Sequence, residues 1–456
     1  MARESAPAPS GKVKAKIKVK VEAKIRAKTK PPEQKIWKVA LAGFGTVGRS
    51  VARILVERTG APLRLTHICN RNVARKRVDW LPRDVVWTEN IDDVLSSEAD
   101  IVVEVIGGLH PTEDWVRRAL ASGKSVVTAN KQLIAHCGPD LIALAHRNHQ
   151  QIEFGASVAG GVPVISGLQQ GLAGDELFKI CGILNGTCNY ILTQIESNGV
   201  PFTTALREAQ KLGFAEADPT EDIDGLDARA KLAILIRVGL HCNVAASSIV
   251  AASISPIDAI DFEYANQLGC TIRQISRAEL KGDTLFAAVQ PSLVQLSSPL
   301  ARVERSQNLV MATGTYGGET VFGGHGAGGH PTAVAVVSDI LAIVQAKQSG
   351  NTSADESTKE SQFVEESPVV SSDFVTRHYL RFLVKDRSGI IASLATILAK
   401  SGINIDSVLQ KAGCSKSHLP FLITLEECKT LLVDQALKQI NALDFMVQPC
   451  LHMPIL

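Results

Sequence analysis

The cysteines of this chain lack every spacing that would mark a disulfide framework or a zinc site. No two of them form a Cys-x-x-Cys pair, and their number is odd. Scattered thiols are typical of a reducing compartment, so we expect a cytoplasmic protein without disulfide bonds or structural zinc. The nine residues are Cys69, Cys137, Cys181, Cys188, Cys242, Cys270, Cys414, Cys428 and Cys450.

The sequence also lacks an uninterrupted apolar run long enough to span a bilayer, which predicts no membrane partner. Residues 1–35 have no apolar core of signal-peptide type and are poor in Arg and Ser for a transit peptide. From Lys12 to Lys20 lysines alternate with small apolar residues instead. We expect a solvated basic tail, because self-repulsion opposes folding. Weak attraction to nucleic acid or anionic lipid is the alternative, without a specific nucleic-acid partner.

The order of predicted elements indicates an α/β chain of about three domains, as 456 residues allow. Strands alternate with helices up to about residue 155, which predicts a doubly wound, Rossmann-type parallel sheet. The last eighty residues follow a β-α-β-β-α-β order of ferredoxin-like type. The predicted units are a dinucleotide-binding domain at 36–155, an α+β catalytic and oligomerisation domain at 156–329, a helix at 330–347 returning to the first domain, a polar linker at 348–372 and a regulatory domain at 373–456.

The first motif is Gly43-x-Gly45-x-x-Gly48, between a predicted strand and a predicted helix. In that context Gly43 allows a tight turn, Gly45 lets the backbone approach a pyrophosphate, and Gly48 lets helix and strand pack closely. The helix N-terminus would face the phosphates. A tight turn without a ligand is the alternative, but the strand-turn-helix context favours dinucleotide binding.

The end of the second predicted strand should distinguish the two nicotinamide cofactors. It carries Arg71 and no acidic residue until Asp79. An acid would bind the ribose hydroxyls of NAD, whereas an Arg accommodates the 2′-phosphate of NADP. The sequence therefore favours NADP(H), with NAD(H) as the alternative if Arg71 is only a surface charge. Lys131 follows another strand, at the sheet edge where ligands bind, although a surface lysine would explain it equally well.

A dense acidic loop runs into an apolar helix at 212–236, with Asp227 and Lys231 four residues apart on one helix face. Such a pair could handle a proton, although an acid near a helix N-terminus also offsets the helix dipole. Asn185 opens another helix, either to hold a carboxylate or as an ordinary N-cap. The glycine-rich run 323–329 favours close backbone approach to a ligand.

Together these motifs resemble homoserine dehydrogenase over residues 37 to about 347, and the last eighty residues resemble an ACT domain, a ligand-sensing module. The resemblance rests on seven motifs in order. They are Gly-Phe-Gly-Thr-Val-Gly at 43–48, Glu-Val-Ile-Gly-Gly at 104–108, Thr-Ala-Asn-Lys at 128–131, Ala-Ser-Val-Ala-Gly-Gly-Val-Pro at 156–163, Asn-Gly-Thr-Cys-Asn-Tyr at 185–190, Ala-Glu-Ala-Asp-Pro at 215–219 and Gly-Leu-Asp-Ala-Arg-Ala-Lys at 225–231.

The resemblance implies NAD(P)-dependent interconversion of L-aspartate 4-semialdehyde and L-homoserine, a step toward threonine and methionine. It further implies L-threonine as an effector of the ACT domain, and a homodimer or homotetramer. Two other functions stay open: a non-catalytic NAD(P)-binding sensor of amino acids, and another Rossmann dehydrogenase acting on an amino acid.

Individual roles also follow from the resemblance. Lys231 matches the proton donor, Asp227 the carboxylate that positions the substrate hydroxyl, Lys131 the lysine between cofactor and substrate, and Glu216 the acid that binds the substrate amino group. Further predicted substrate residues are Asn185, Gly186, Thr187 and Asp222. Predicted cofactor residues are Gly43, Phe44, Gly45, Thr46, Val47, Gly48, Arg71, Gly107, Thr128, Lys131, Gly213 and Gly326.

Two positions depart from the family pattern. The family has an Arg directly before the catalytic Lys, whereas this chain has Ala230 there and Arg229 one place earlier, about 100° round the helix. Gly155 stands where the family has a Glu that helps to bind a structural sodium ion. Without that side chain we expect weak or absent sodium binding, unless Glu153 substitutes. The remaining predicted ligands are the carbonyl groups of Val158, Gly160 and Val162.

Overall fold

The computed structural model describes residues 35–58, 60–350, 368–411, 413 and 415–456. Nearly all of the predicted basic tail and most of the predicted linker lie outside these residues. Within them the fold is the predicted α/β arrangement, with a parallel Rossmann-type sheet, an α+β unit and a C-terminal β-α-β-β-α-β unit.

The first sheet has six strands in the order β3-β2-β1-β4-β5-β6, all parallel to one another. Its central strands are buried on both faces, as their apolar composition predicts. Strand order reverses between β1 and β4, where doubly wound sheets bind ligands at their carboxyl ends. The strands are β1 Trp37–Ala42, β2 Leu63–Cys69, β3 Val86–Thr88, β4 Ile101–Glu104, β5 Ser125–Thr128 and β6 Ile152–Glu153.

Two helices of this unit start at an asparagine whose side chain satisfies one of the first N–H groups. The side chain of Asn90 caps one of them, and that of Asn130 caps another by accepting from Leu133 N–H at 3.1 Å. Their bounds are α1 Thr46–Glu57, α2 Val73–Lys76, α3 Ile91–Leu95, α4 Thr112–Ala121 and α5 Lys131–Arg147.

The second sheet has nine strands in the order β12-β11-β7-β9-β10-β17-β14-β16-β15, and two short strands, β8 and β13, pair with β10. The long hairpin of β9 and β10 forms its centre. The strands from the middle of the chain are β7 Leu177–Ile183, β8 Val250–Ala251, β9 Cys270–Lys281, β10 Thr284–Gln295, β11 Gln307–Gly314 and β12 Gly318–His325.

Helices cover this second sheet and carry the acidic motifs. The apolar pattern of 162–172 predicts one helix, but the structure has a single α turn followed by a π turn at Gly167–Gly171. A Cβ at Gly167 would lie 2.4 Å from the Phe322 ring, so packing requires glycine there. The helices are α6 Val164–Ser166, α7 Gly186–Asn198, α8 Phe202–Lys211, α9 Thr220–Ile223, α10 Leu226–Gly239 and α11 Ala259–Gln267.

The helix α12, Gly329–Gln348, packs against α1 beside the first sheet. Its buried side chains, Ala333 and Ile340 among them, join the same core as those of β1. Among the described residues it is the one helix long and apolar enough to cross a membrane, yet its apolar side chains contribute to that core.

The C-terminal unit extends the second sheet. Its strand β17 pairs antiparallel with β14 and contacts β10 at Leu293. At the junction the Asp261 carboxylate, buried in α11, accepts hydrogen bonds from Tyr379 Oη at 2.7 Å and Arg381 Nε at 2.6 Å. The elements are β13 Val369–Ser371, β14 Val375–Val384, α13 Ile390–Lys400, β15 Ile405–Gln410, β16 Leu419–Lys429, α14 Thr430–Ile440 and β17 Leu451–Ile455.

Candidate active site

The glycine loop after β1 has the geometry that dinucleotide binding requires. Gly43 has φ +106°, and a Cβ at Gly48 would lie 2.1 Å from the Gly43 carbonyl oxygen. A Cβ at Gly45 would meet nothing within 4 Å, so space remains above the loop. Helix α1 has no side-chain cap and no acid in its first turn. Its free N–H groups therefore fit a bound pyrophosphate, and Thr46 and Val47 lie in that first turn.

Phe44 differs from the other predicted cofactor residues of this loop. Its side chain is fully buried and packs edge-on against Trp87, with ring centroids 4.9 Å apart. Its N–H donates to Asn70 Oδ1 at 2.9 Å and is not left for a phosphate. Phe44 therefore anchors the loop to the core. Arg71, the predicted NADP reader, is exposed next to Asn70.

A buried carboxylate organises the ends of β4 and β5. Glu104 is 2% exposed, and its Oε1 accepts from the N–H groups of Ile106 at 2.7 Å and Gly107 at 2.9 Å. Its Oε2 accepts from Thr128 Oγ1 at 2.5 Å. The Thr128 hydroxyl thus donates to Glu104 and links the carboxyl ends of β4 and β5, the sheet edge where the cofactor is predicted to bind. Glu104 was not among the predicted site residues, although an acid ending an apolar strand is itself a signal.

Three charged side chains meet where the first unit faces the second. Asp227, buried at the start of α10, holds Lys231 Nζ at 2.8 Å from Oδ2 and Lys131 Nζ at 2.5 Å from Oδ1. Lys231 also donates to the Leu184 carbonyl oxygen at 2.9 Å. Lys131, which follows β5, and the Asp227–Lys231 pair on α10 therefore form one cluster. This is the arrangement expected if both motifs serve the same reaction.

Asn185 joins this cluster to a second carboxylate. Its Nδ2 donates to Asp222 Oδ1 at 2.6 Å and to Asp227 Oδ2 at 2.8 Å. Its Oδ1 meanwhile accepts from Cys188 N–H at 2.8 Å, which caps α7. The N-cap is thus confirmed, and the same side chain bridges two acids of the protein, whereas binding of a substrate carboxylate stays a prediction. Gly186 and Thr187 form the first turn of that helix.

Electrostatics keep the centre of the cluster ionised. Burial works to raise the pKa of Asp227, but the ammonium groups of Lys231 and Lys131 outweigh it and hold that pKa well below its ordinary range. Burial works to lower the pKa of Lys131, and the Asp227 carboxylate raises it above its ordinary value. Burial raises the pKa of Asp222, and this effect outweighs the hydrogen bond from Asn185 and the nearby Lys231 and Lys131 ammonium groups. Asp227 is therefore a fixed negative charge that favours the protonated form of Lys131.

A buried guanidinium fastens α5 to α10, the helices that carry Lys131 and Lys231. Arg237 is 3% exposed, and its Nη1 donates to the Ile134 carbonyl at 2.8 Å. Its Nη2 reaches the Ala135 carbonyl at 3.5 Å, which Pro139, lacking an N–H, leaves without its helical donor. These hydrogen bonds fix the position of α5 relative to α10.

The loop with the predicted Glu216 adjoins the cluster through α7. Thr187 Oγ1 donates to the Phe214 carbonyl at 2.8 Å, and the Phe214 ring packs on Tyr190 with centroids 4.7 Å apart. Gly213 turns the loop with φ +77°. Glu216 follows on the exposed side, and the hydrogen bonds and ion pairs of the described residues do not join it to Asp227.

Comparison with known proteins assigns this arrangement to a family. Residues 163–341 match the family model of homoserine dehydrogenase, residues 43–155 its NAD-binding domain, and residues 378–445 the ACT domain. The homoserine dehydrogenase of Bacillus subtilis is 38% identical over 82% of this chain and 88% of its own length. That of Mycobacterium tuberculosis H37Rv is 38% identical over 91% and 96%.

Solved structures agree. A homoserine dehydrogenase from Thiobacillus denitrificans matches with a TM-score of 0.85 at 32% identity, over 92% of this chain and 98% of that one. A hyperthermophilic archaeal homoserine dehydrogenase in complex with NADPH matches with a TM-score of 0.59 at 28% identity, over 68% and 98%. This chain belongs to the homoserine dehydrogenase family. It has the oxidoreductase function and nicotinamide cofactor of that family, together with an ACT domain.

The shifted arginine, Arg229, lies outside the cluster. Ala230 is buried, and Arg229 is half-buried with its Nε unpaired. Neither residue contributes to the bonds among Lys131, Asp227 and Lys231.

Space at Gly155 is filled from another part of the chain. A Cβ there would lie 2.6 Å from Asp339 Oδ1 of α12, and the N–H groups of Gly155 and Ala156 hydrogen-bond to that carboxylate. Asp339 Oδ2 is buried without a hydrogen-bond partner. Glu153, the predicted substitute, lies half-buried in β6. Asp339 therefore places the carboxylate that a hard cation needs beside Gly155.

The predicted carbonyl ligands for sodium follow in the same loop. Val158 and Val162 are buried, and Gly160 has φ +49° and packs against the Gly326 carbonyl. The Val162 carbonyl already accepts the Val164 N–H at 2.7 Å. No group of three or more His, Cys, Asp or Glu side chains among the described residues could hold a metal. Sodium binding here thus depends on Asp339 and on backbone oxygens.

Replacing Asp339 with Asn should stabilise the protein above neutral pH. Burial raises the pKa of Asp339 to about 7, although the two N–H groups oppose the shift. The unfolded chain releases this proton near pH 4, so the wild type loses stability as pH rises from about 4 to 7. We expect a higher thermal midpoint for Asp339→Asn at pH 8 and nearly equal midpoints at pH 4. Exposed Asp283→Asn is the control, and equal midpoints at pH 8 would contradict the shift.

Proposed function

We propose that the chain interconverts L-aspartate 4-semialdehyde and L-homoserine with NAD(P)H, as a step toward threonine and methionine. The observation that carries this proposal is the cluster of Lys131, Asp227 and Lys231, which joins the carboxyl end of β5 to the Asn185 turn. The proposal is tested by following NADPH absorbance with the semialdehyde, and NADP⁺ reduction with L-homoserine.

The cluster suits reduction of an aldehyde. When bound, the nicotinamide supplies hydride to the carbonyl carbon. Lys231 would stabilise the negative charge that develops on the carbonyl oxygen and donate a proton to it. Two of its N–H directions are taken by Asp227 and the Leu184 carbonyl, which leaves one for the substrate. Asp227 orients the amine, and Glu216 on the nearby loop would neutralise the substrate ammonium.

The same chemistry would allow another amino-acid semialdehyde or hydroxy acid as substrate. A panel of such substrates, run beside the semialdehyde, separates these readings by the ratio of their kcat/KM values. A non-catalytic sensor would need the glycine loop and the ACT domain but no buried pair of lysines on one carboxylate. Absence of turnover with every substrate of the panel would favour the sensor.

NADP(H) is the cofactor we favour, because Arg71 is exposed just after β2 and no acidic residue follows it in the sequence until Asp79. A single charge-assisted bond to the 2′-phosphate contributes about 1.5–3 kcal/mol. Arg71→Ala should accordingly raise the KM for NADPH by about tenfold or more and leave the KM for NADH nearly unchanged. Equal effects on both cofactors would favour NAD(H) or a different reader.

L-Threonine is the effector we propose for the ACT domain, with the turn 386–389 and the strand start 402–406 as its contact region. The shared sheet and the Asp261 junction offer a route from that domain to the catalytic unit. Threonine at millimolar concentration should lower the rate of NADPH oxidation and raise the thermal midpoint, and D-threonine is the control. No change in either quantity would contradict regulation by threonine.

We further propose a cytoplasmic homodimer or homotetramer. Light scattering coupled to gel filtration would give the mass directly, and a mass of one chain would contradict the proposal.

A further inference from the structure

Asn308 lies behind the catalytic lysine, on β11, and is 2% exposed. Its Nδ2 donates to the Leu184 carbonyl at 3.0 Å, the same oxygen that accepts from Lys231 Nζ at 2.9 Å. Both lone pairs of this carbonyl are thus engaged, one by the amide and one by the ammonium. Leu184 directly follows β7, whose neighbour in the sheet is β11, so Asn308 reaches it from the adjacent strand.

The Asn308 side-chain amide also packs against the glycine-rich loop that follows β12. A Cβ at Gly326 would lie 2.1 to 2.4 Å from the Asn308 side-chain amide, and one at Gly160 would lie 2.6 Å from the Gly326 carbonyl. Asn308 and Gly324 are direct partners in the sheet. Asn308 therefore contacts the glycine-rich loop with Gly326, a predicted cofactor residue, on one side. On the other side it contacts the Leu184 carbonyl that accepts from Lys231.

The orientation of the amide follows from this geometry. If the amide were flipped, Oδ1 would face the Leu184 oxygen, and two acceptors would oppose each other. In the observed orientation Oδ1 is buried without a partner. Leaving a buried acceptor unpaired destabilises the folded state. Packing alone does not explain this cost, because a leucine at this position would have a similar shape and no unpaired polar atom.

We propose that Asn308 is a positioning residue that fixes the direction of the Lys231 ammonium through the Leu184 carbonyl. This inference rests on the proposed reaction, in which Lys231 donates the proton. Misplacing a catalytic group by about 1 Å can cost about a hundredfold in rate. Asn308 is not among the predicted substrate or cofactor residues, so we expect the effect to fall on kcat.

Asn189 provides a matched control. It is fully buried, its Nδ2 donates to the Val303 and Arg305 carbonyls at 3.0 Å each, and its Oδ1 is also unpaired. Its hydrogen bonds do not include Leu184. Asn308→Leu should lower kcat about 10- to 100-fold, with KM values for both substrates within about threefold. Asn189→Leu should lower the thermal midpoint at least as much and leave kcat within about threefold.

Asn308→Asp separates the hydrogen bond from the packing. Ionised, this side chain cannot donate to the Leu184 oxygen, but protonated it can. The ratio of wild-type to Asn308→Asp kcat should therefore fall as pH is lowered from 8 to 5, whereas the ratio for Asn308→Leu should stay constant. Constant ratios for both variants, or equal kcat losses in Asn308→Leu and Asn189→Leu, would overturn the proposal.

A second readout does not depend on turnover. Acetylation of the Lys231 amine by acetic anhydride, followed by peptide mass spectrometry, reports how firmly the amine is held. The rate should rise at least threefold in Asn308→Leu and stay unchanged in Asn189→Leu. If the wild type fails to turn over the semialdehyde, the proposed reaction fails. Unchanged acetylation in Asn308→Leu would overturn the positioning role itself.

Discussion

Replacing Lys231 with Ala should lower kcat for semialdehyde reduction by at least about a hundredfold, since proton transfer by a positioned group contributes about 10²–10⁴-fold. The affinity for NADPH should change little, because the glycine loop lies on the other unit and makes no bond to Lys231. Steady-state rates with NADPH and the semialdehyde, and NADPH fluorescence titration, measure the two quantities.

The control for this prediction is Lys211→Ala, an exposed lysine at the end of α8. Folding of Lys231→Ala is checked by circular dichroism, because loss of the ammonium leaves Asp227 with Lys131 alone. Turnover of Lys231→Ala within threefold of wild type, in a folded protein, would remove Lys231 from the proton-donating role.

Replacing Asp227 with Asn should reduce both activity and stability. Asp227 is 3% exposed and compensates two ammonium groups, so the neutral amide would leave both amines without a counter-charge. Breaking a buried pair costs about 3–5 kcal/mol. The lower end of this range applies, because the Lys131 side chain is 33% exposed and water relieves part of the loss. We expect a kcat loss of at least about tenfold, as orientation of the catalytic amine is lost.

The pH dependence of this contribution has a definite sign. The folded pKa of Asp227 is depressed, so its stabilising contribution is complete above the ordinary Asp value of about 4 and is lost as pH falls below that value. The difference in thermal midpoint between wild type and Asp227→Asn should be constant from pH 5 to 8 and should narrow below pH 4. A difference that narrows toward pH 8 would contradict the assignment of Asp227 as the fixed charge.

Local patterns in the sequence were sufficient for the first sheet and for placing Asp227 and Lys231 on one helix face, but not for the contact of Lys131 with Asp227. The glycine motif between a strand and a helix, and the four-residue spacing of Asp227 and Lys231, each depend on neighbours in the chain. The resemblance correctly names the family and the ACT domain. It also places Lys131 among the catalytic residues, and the structure brings this lysine to Asp227.

Contacts between distant elements could not be read from the sequence. Glu104 ties two strand ends, Asp339 fills the space at Gly155 from a helix nearly 200 residues later, and Asn308 shares a carbonyl with Lys231. Each depends on which strands and helices become neighbours. Phe44 is a different case: the motif predicts it as a cofactor residue, and its ring belongs to the core. For Glu104, the overlooked signal in the sequence was an acidic residue at the end of an apolar strand.

The most direct measurement is a crystal structure with NADP⁺ and L-homoserine bound together. If Lys231 is the proton donor, its Nζ should lie within hydrogen-bond distance, about 2.7–3.2 Å, of the homoserine hydroxyl, with Asp227 still holding the amine. A hydroxyl lying far from Lys231, on the opposite side of the Asp227 carboxylate, would contradict the account.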